Sequence, residues 1–308
     1  MAPHKIIIDT DPGVDDAMAI LFACAHPELD LLGLTSIFGN VTVDVATRNA
    51  LVLSELANAN VPIAHGAGGP LEQAPRPVAS EVHGAEGFGH VPPITPAGAP
   101  DGRSAAQFIC DTVAAHPGEI VLCPIGPLTN LAEALRLDPS IAAKVKSVTV
   151  MGGSVWAGGN ASPHAEANIW QDPHAAETVF AATWPVTLVG LDVTHKVICT
   201  NTQFAELAKA APTNGGFLNE ISQFYFKFHD KVDGFYGCYM HDPSAVISIL
   251  HPELFTTEDH PVKVVLGGEQ AGQTVITDEP GRPAIKVCSK VDAEQVKQVF
   301  LSTLAAAG

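Results

Sequence analysis

The segment Asp9-Thr10-Asp11-Pro12-Gly13-Val14-Asp15-Asp16 packs four carboxylates into eight residues, directly after the apolar run Ile6-Ile7-Ile8. Like charges at such spacing repel and raise one another's pKa unless a cation lies between them. The segment offers oxygen ligands and neither His nor Cys, a donor set that suits a hard ion, Ca²⁺ or Mg²⁺. The plain alternative is helix capping, since Asp before a Pro at the first helical position is a common helix start. The chain carries its own control. Asp-Pro occurs at Asp11, Asp138, Asp172 and Asp242, and Asp138 and Asp172 read as ordinary caps or turns. A cap needs one Asp, and here are four, which favours a metal site over capping alone.

The elements around the cluster support that reading. Residues 5–8 read as a strand and residues 15–26 as a helix. The cluster then lies at the carboxyl end of the first strand, where parallel α/β sheets bind ligands. Gly13 permits a tight turn there. Asp15 and Asp16 open the helix, whose N-terminal dipole favours negative charge. The alternation continues with a strand over 29–38 and a helix over 43–58, with Asn49 and Glu55 on its polar side. It goes on with strands over 120–122, 145–151 and 186–189 and helices over 128–137 and 173–182. This pattern predicts a single α/β domain over 1–308, with a mostly parallel, Rossmann-like central sheet flanked by helices on both faces. Short, wholly apolar strands suit a sheet buried on both sides. Residues 66–100 hold seven prolines and read as a long irregular loop, a kind often functional. Residues 200–240 look helical and aromatic-rich, and the tail from 262 offers two or three strands before a helix over 293–304. No linker or internal repeat is visible.

Composition narrows the function. Of 308 residues, 46% are apolar, and 33 Asp+Glu against 16 Lys+Arg give a net charge of −17. So acidic a chain repels phosphate backbones and anionic surfaces, which argues against nucleic-acid and membrane partners. The six cysteines form no CxxC pair, so neither a zinc site nor a redox motif is suggested. Cysteines in apolar runs, with no signal-like start and no span of about 20 apolar residues, fit a soluble cytoplasmic protein. GxGxxG, GxxxxGK[ST] and GxSxG are absent, which argues against dinucleotide-binding, nucleotide-hydrolase and esterase-type readings.

The run DTDPGVDDA resembles the opening motif of the nucleoside hydrolases, the inosine–uridine-preferring N-ribohydrolases. Four further blocks match in order: Phe38-Gly39-Asn40-Val41-Thr42, Gly126-Pro127-Leu128-Thr129-Asn130, Met151-Gly152-Gly153 leading to Glu166-Ala167-Asn168, and His241-Asp242-Pro243. The resemblance implies the nucleoside hydrolase fold and Ca²⁺-dependent cleavage of ribonucleosides to free base and ribose. It also implies a homodimer or homotetramer.

By this resemblance, Ca²⁺ is held by Asp11, Asp16, Asp242 and the main-chain oxygen of Ile125. Asp11 is the general base. Asp15, Asn40, Met151, Asn160, Glu166, Asn168 and Asp242 meet the ribose. His241 is the general acid for the leaving base, a role that suits imidazole near neutral pH. His83, Tyr225 and His229 line the base end. Glu166 and Asn168 alternate as on a strand and so face one site. Three positions depart from the family pattern: Ala167 replaces a frequent Phe, His229 a frequent Tyr, and Ala271 stands where an Arg is common. Two rival readings stand beside this one. A non-catalytic, Ca²⁺-dependent nucleoside- or sugar-binding protein has no need of Asp11 or His241. A phosphohydrolase with an aspartate nucleophile needs basic groups, and Lys and Arg are scarce near every block.

Overall fold

Ile6, Ile7 and Ile8 are each at most 1% exposed. A strand sends alternate side chains to opposite faces. Ile6 and Ile8 accordingly enter one apolar core and Ile7 another. Three consecutive buried residues are what a strand covered on both faces requires.

The computed structural model describes residues 2–308. Its strands are β1 (His4–Thr10), β2 (Leu29–Ser36), β3 (Ile63–His65), β4 (Asp101–Ser104), β5 (Ile120–Pro124), β6 (Ser147–Met151), β7 (Val186–Val189), β8 (Ile198–Thr200), β9 (Gly237–Tyr239), β10 (Phe255–Val264), β11 (Thr274–Ile276) and β12 (Ala284–Val291). Ten of them form one sheet in the order β11-β10-β12-β7-β6-β5-β1-β2-β3-β4. The run from β12 to β4 is parallel, and β10 is antiparallel to both β12 and β11. β8 and β9 make a separate antiparallel ribbon. One core packs helices Val14–Ala25, Asn214–Asp233, His241–Leu250 and Ala293–Ala306 against the sheet. The other packs Ala105–Ala115, Thr129–Leu137 and Pro173–Ala181. The expected fold class, a mostly parallel sheet flanked by helices, is what is found.

Strand order sets the site. From β1 the chain winds outward through β2, β3 and β4, then returns to β5 on the opposite side of β1. The connections leaving β1 and β5 therefore diverge, opening a crevice at their carboxyl ends. The carboxylate cluster leaves β1 there, and Ile125-Gly126-Pro127 leaves β5 beside it.

Several elements differ from their expected form. β3 and β4, of three and four residues, are too short to be anticipated, and helix Ala105–Ala115, capped by Ser104, is also not anticipated. Asn49 is not on a polar face. It is 1% exposed, and its amide donates to the carbonyls of Pro12 (3.1 Å) and Glu86 (2.8 Å). Helix Val43–Leu56 thus ties the β1 turn to the proline-rich segment. That segment is mostly irregular but contains the short helix Ser80–His83. Residues 200–240 contain two helices, Asn201–Ala210 and Asn214–Asp233, flanked by β8 and β9. The tail does hold three strands, but β10 starts at Phe255, because its exposed stretch Thr256–Asp259 hides the alternation.

Asn130 staples the switch point. Its Nδ2 donates to Asp9 Oδ1 (2.7 Å) and to the Ser36 carbonyl (2.9 Å), and its Oδ1 accepts from the Ala67 N–H (2.9 Å). Each partner is left wanting if the amide is removed, and a buried orphaned group costs about 1–3 kcal/mol. Asn130→Ala is expected to lower unfolding free energy by about 3 kcal/mol or more, read as a reduced urea midpoint. An unchanged midpoint would sink this account.

Candidate active site

The cluster begins where β1 ends. Asp16 accepts four hydrogen bonds: from Thr10 Oγ1 (2.6 Å), Asp11 N (3.2 Å), Gly13 N (3.0 Å) and Asn40 Nδ2 (3.1 Å). The Gly13 contact is half of a capping box for helix Val14–Ala25. Capping is therefore one task of one carboxylate, and three others remain. Asp11 Oδ2 accepts from Asn40 N at 2.6 Å, whereas its Oδ1 is buried without a partner. Asp15 Oδ2 accepts weakly from the Tyr225 hydroxyl at 3.5 Å, and its Oδ1 is likewise buried and unpartnered. The Asp138 and Asp172 controls behave as expected. Asp138 accepts from Ser140, and Asp172 caps the helix Pro173–Ala181 through Ala175 N.

Two glycines make room for Asp11. A Cβ on Gly126 would lie 2.5 Å from Asp11 Oδ1. A Cβ on Gly39, which has φ +156°, would collide with Oδ2. The Gly residues of the Gly39-Asn40 and Gly126-Pro127 blocks are thus dictated by the carboxylate they cradle.

Asp242, from the first turn of helix His241–Leu250, completes the floor. Asp15, Asp16 and Asp242 are all buried and bring ligand oxygens within 4.8 Å of one another. Asp11 is outside this closest triad and is joined to Asp16 through its own N–H and through Asn40. Burial, then repulsion from its neighbours, holds the Asp11 and Asp242 carboxyls well above the usual carboxylate range. Burial raises Asp15 to about 6, and burial and then Asp15 raise Asp16. Among the described residues no Lys or Arg lines the site to offset them. Buried carboxylates with spare oxygens and no cationic partner fit a hard divalent cation.

Glu166 and Asn168 do share the site, but not on a strand. Glu166 is the N-cap of helix Ala167–Gln171, accepting from Asn168 N (2.9 Å), Ile169 N (3.1 Å) and Gly153 N (2.9 Å). The two-residue spacing converges here because a cap and the second helical residue turn inward together. Burial lifts Glu166 to about 7. The Asn168 amide donates to the carbonyls of Ile125 (2.9 Å) and Met151 (3.1 Å), so it positions the oxygen expected to face a metal. Asn160 Oδ1 accepts from Ala167 N at 2.9 Å, which fixes its loop.

Above the floor opens a cavity of about 760 Å³. Asp15, Asn40, His83, Ile125, Met151, Asn160, Glu166, Asn168, Tyr225, His229, His241 and Asp242 line it, while Asp11 and Asp16 are absent from the lining. Its upper wall is imidazole and aromatic. His83 Nδ1 accepts from Val14 N (3.2 Å), and burial lowers its pKa to about 4, so it is a neutral acceptor. His241 Nδ1 pairs with Thr194 Oγ1 at 2.8 Å, and burial keeps its imidazole well below the usual range. Sequence reasoning missed His195, whose ring lies 4.7 Å from Tyr239 and 5.5 Å from His241. It also missed Thr194 and Asp233. A signal existed for the first two, because residues 190–195 follow the carboxyl end of β7, on the ligand-binding edge.

Residues 6–298 match the Inosine-uridine preferring nucleoside hydrolase family. Uridine nucleosidase 1 of Arabidopsis thaliana is 42% identical over 274 residues, which cover 89% of this chain and 82% of that protein. The Inosine-uridine preferring nucleoside hydrolase of Leishmania major is 42% identical, covering 91% of this chain and 90% of its own. Among solved structures, the plant nucleoside hydrolase PpNRh1 superposes with a TM-score of 0.96 at 37% identity, over 99% of both chains. The Purine-Preferring Ribonucleoside Hydrolase from Gardnerella vaginalis gives 0.94 at 32%, over 98% of both. Fold and site thus define a hydrolase of ribonucleoside N-glycosyl bonds. Within that class, the chain belongs to the inosine-uridine preferring nucleoside hydrolase family.

The raised acids and lowered histidines set opposite pH limits. An acid raised on folding stabilises below its unfolded pKa and loses that contribution as pH climbs through the folded value. For Asp9 and Glu166, both about 7, and Asp15, about 6, the loss falls between pH 4 and about 7. A histidine lowered on folding does the reverse: His83 stabilises above about 6.5 and loses this as pH falls toward about 4. A divalent cation binds only ionised carboxylates. The rise in Tm caused by calcium over chelator is therefore expected to be larger at about pH 8 than at about pH 5. Equal shifts at both would contradict a cation in this cluster.

Proposed function

We propose that the protein is a Ca²⁺-dependent ribonucleoside N-ribohydrolase that releases free base and ribose from inosine- and uridine-type substrates. The observation that carries this reading is the cavity itself: a floor of buried carboxylates with unpartnered oxygens beneath a neutral imidazole and aromatic wall, with no Lys or Arg among the lining residues. Such a site favours a neutral sugar with a cation over a phosphate. Asp11, Asp16, Asp242 and the Ile125 carbonyl would hold the ion. That carbonyl has a second lone pair beside its bond from Asn168. When bound, the cation supplies Lewis acidity that lowers the pKa of adjacent water.

The remaining steps belong to side chains. Asp11 Oδ1, buried and unpartnered, receives the proton of the attacking water. Asp15 accepts a ribose hydroxyl. Asn40, Asn160, Glu166, Asn168 and the Met151 region fix the others, since amides and a carboxylate match groups that both donate and accept. Bond cleavage leaves an oxocarbenium-like ribosyl centre, to which the carboxylate floor is electrostatically complementary. Negative charge builds on the departing base. That charge raises the pKa of the neighbouring His241, so the imidazole takes a proton from solvent and passes it to the departing base as the bond breaks. His83, Tyr225 and His229 surround the base.

The six unpaired cysteines, five of them buried, support a reducing, cytoplasmic setting. The resemblance supports a homodimer or homotetramer. Among the described residues no helix is long and apolar enough to cross a membrane.

Incubation with inosine, uridine, adenosine and cytidine, followed by a reducing-sugar assay, is expected to show ribose release that chelator abolishes. No release from any of the four would refute the proposal. Asp11→Ala is expected to lower kcat about a thousandfold; full activity would remove Asp11 as base. His241→Ala is expected to lower kcat on inosine about a hundredfold while sparing a nitrophenyl riboside, whose leaving group needs no proton. Equal losses on both would take His241 out of the acid role.

A further inference from the structure

Tyr225, His229 and Asp233 recur every four residues on helix Asn214–Asp233, which places them in one stripe. The stripe runs away from the carboxylate floor. The Tyr225 hydroxyl touches Asp15, the His229 ring lies 4.5 Å from that of Tyr225, and Asp233 follows at the rim. His229 Nδ1 is 2.8 Å from Asp233 Oδ2. His229 is 4% exposed, and its Nε2 is buried with no partner. The ring is held by Phe235, stacked at 5.6 Å and 11°, and by Tyr239 at 5.0 Å. Asp233 sits at the helix C-terminus, where the dipole disfavours an anion, so its presence there needs a compensating partner.

A carboxylate can only accept, so the Asp233 contact places the imidazole proton on Nδ1. Burial lowers the His229 pKa, with Asp233 opposing in part, so the ring is neutral near pH 7. His229 lines the cavity, and its buried Nε2 is then a bare acceptor. Building on the ribohydrolase reading, we propose that the His229–Asp233 pair is a specificity element that selects bases presenting a ring N–H on the edge remote from the sugar. Uracil and hypoxanthine present one, at N3 and N1. Cytosine and adenine present a lone pair at those positions, which faces the Nε2 lone pair and leaves both without a donor. Asp233 is a positioning residue here, because it acts through the tautomer of His229.

The test measures kcat/KM for uridine, cytidine, inosine and adenosine in the calcium-loaded enzyme, with histidine ¹⁵N NMR as a second readout. The wild type is expected to favour uridine over cytidine and inosine over adenosine. His229→Phe should shrink both ratios by about tenfold. Asp233→Ala should shrink them too and shift the His229 proton toward Nε2. Asp233→Asn, whose amide oxygen still accepts from Nδ1, should retain them. Unchanged ratios in His229→Phe, or a wild-type His229 protonated on Nε2, would overturn the proposal. Should His229→Phe fail to fold, the wild-type tautomer still decides. A wild type that releases no ribose from any nucleoside refutes the hydrolase reading, a result separate from the tautomer.

Discussion

Asp11, Asp15, Asp16, Glu166 and Asp242 share one buried region, and their mutual repulsion is the constraint around which the molecule is arranged. Desolvation disfavours each charge, and each neighbour adds to the penalty. The protein meets part of the demand with backbone dipoles. Asn40 N, Gly13 N, Gly153 N and the start of helix Val14–Ala25 all point at carboxylate oxygens. The rest is left unmet, in the spare oxygens of Asp11 and Asp15. That residue of unsatisfied negative charge separates a binding site from a set of caps.

Other buried acids in the same chain show the contrast. Asp192 accepts from the N–H groups of Val155, Trp156 and Ala157 and fixes a loop. Asp172 accepts from Leu71 N, Thr129 and Ala175 N and joins three segments. Asp9 keeps one bare oxygen, but Thr35 and Asn130 hold the other within the sheet. The floor acids divide these properties among them: Asp11 and Asp15 keep spare oxygens, Asp15, Asp16 and Asp242 lie close together, and Asp15, Glu166 and Asp242 line the open cavity. The fold achieves this by reversing strand order at β1 and β5, which lets loops from distant parts of the chain converge without crossing.

The cavity divides by chemistry along its depth. Its floor is acidic and built from helix starts at the carboxyl edge of the sheet: Asp15 and Asp16 open helix Val14–Ala25, Glu166 caps helix Ala167–Gln171 and Asp242 lies in the first turn of helix His241–Leu250. Its wall is largely imidazole and aromatic, built from helix Asn214–Asp233, the segment around Ser80–His83 and the turn after β7. Relatives with nearly the same fold carry names that differ in base preference, from uridine to purine.

Much of this was legible in the chain. Four carboxylates in eight residues, placed after an apolar strand, point to a cation because a cap needs only one of them and like charges in an apolar setting repel. The βα alternation gave the sheet class for the same reason it always does: side-chain periodicity reports burial. What the linear order hid was convergence. Glu166 and Asn168 read as a strand because two-residue alternation cannot be told from a cap followed by a helical turn. Asn49 read as solvent-facing, since nothing local says that Pro12 and Glu86 bring it carbonyls. His195 and Asp233 gave no motif, because their meaning lies in partners 46 and 4 residues away (His241 and His229) that only packing supplies. The sequence by itself determined the chemistry available and the strand end that offers it. The tertiary structure decided which oxygens stay bare and which imidazoles stay neutral, since both depend on burial and on donors from other segments.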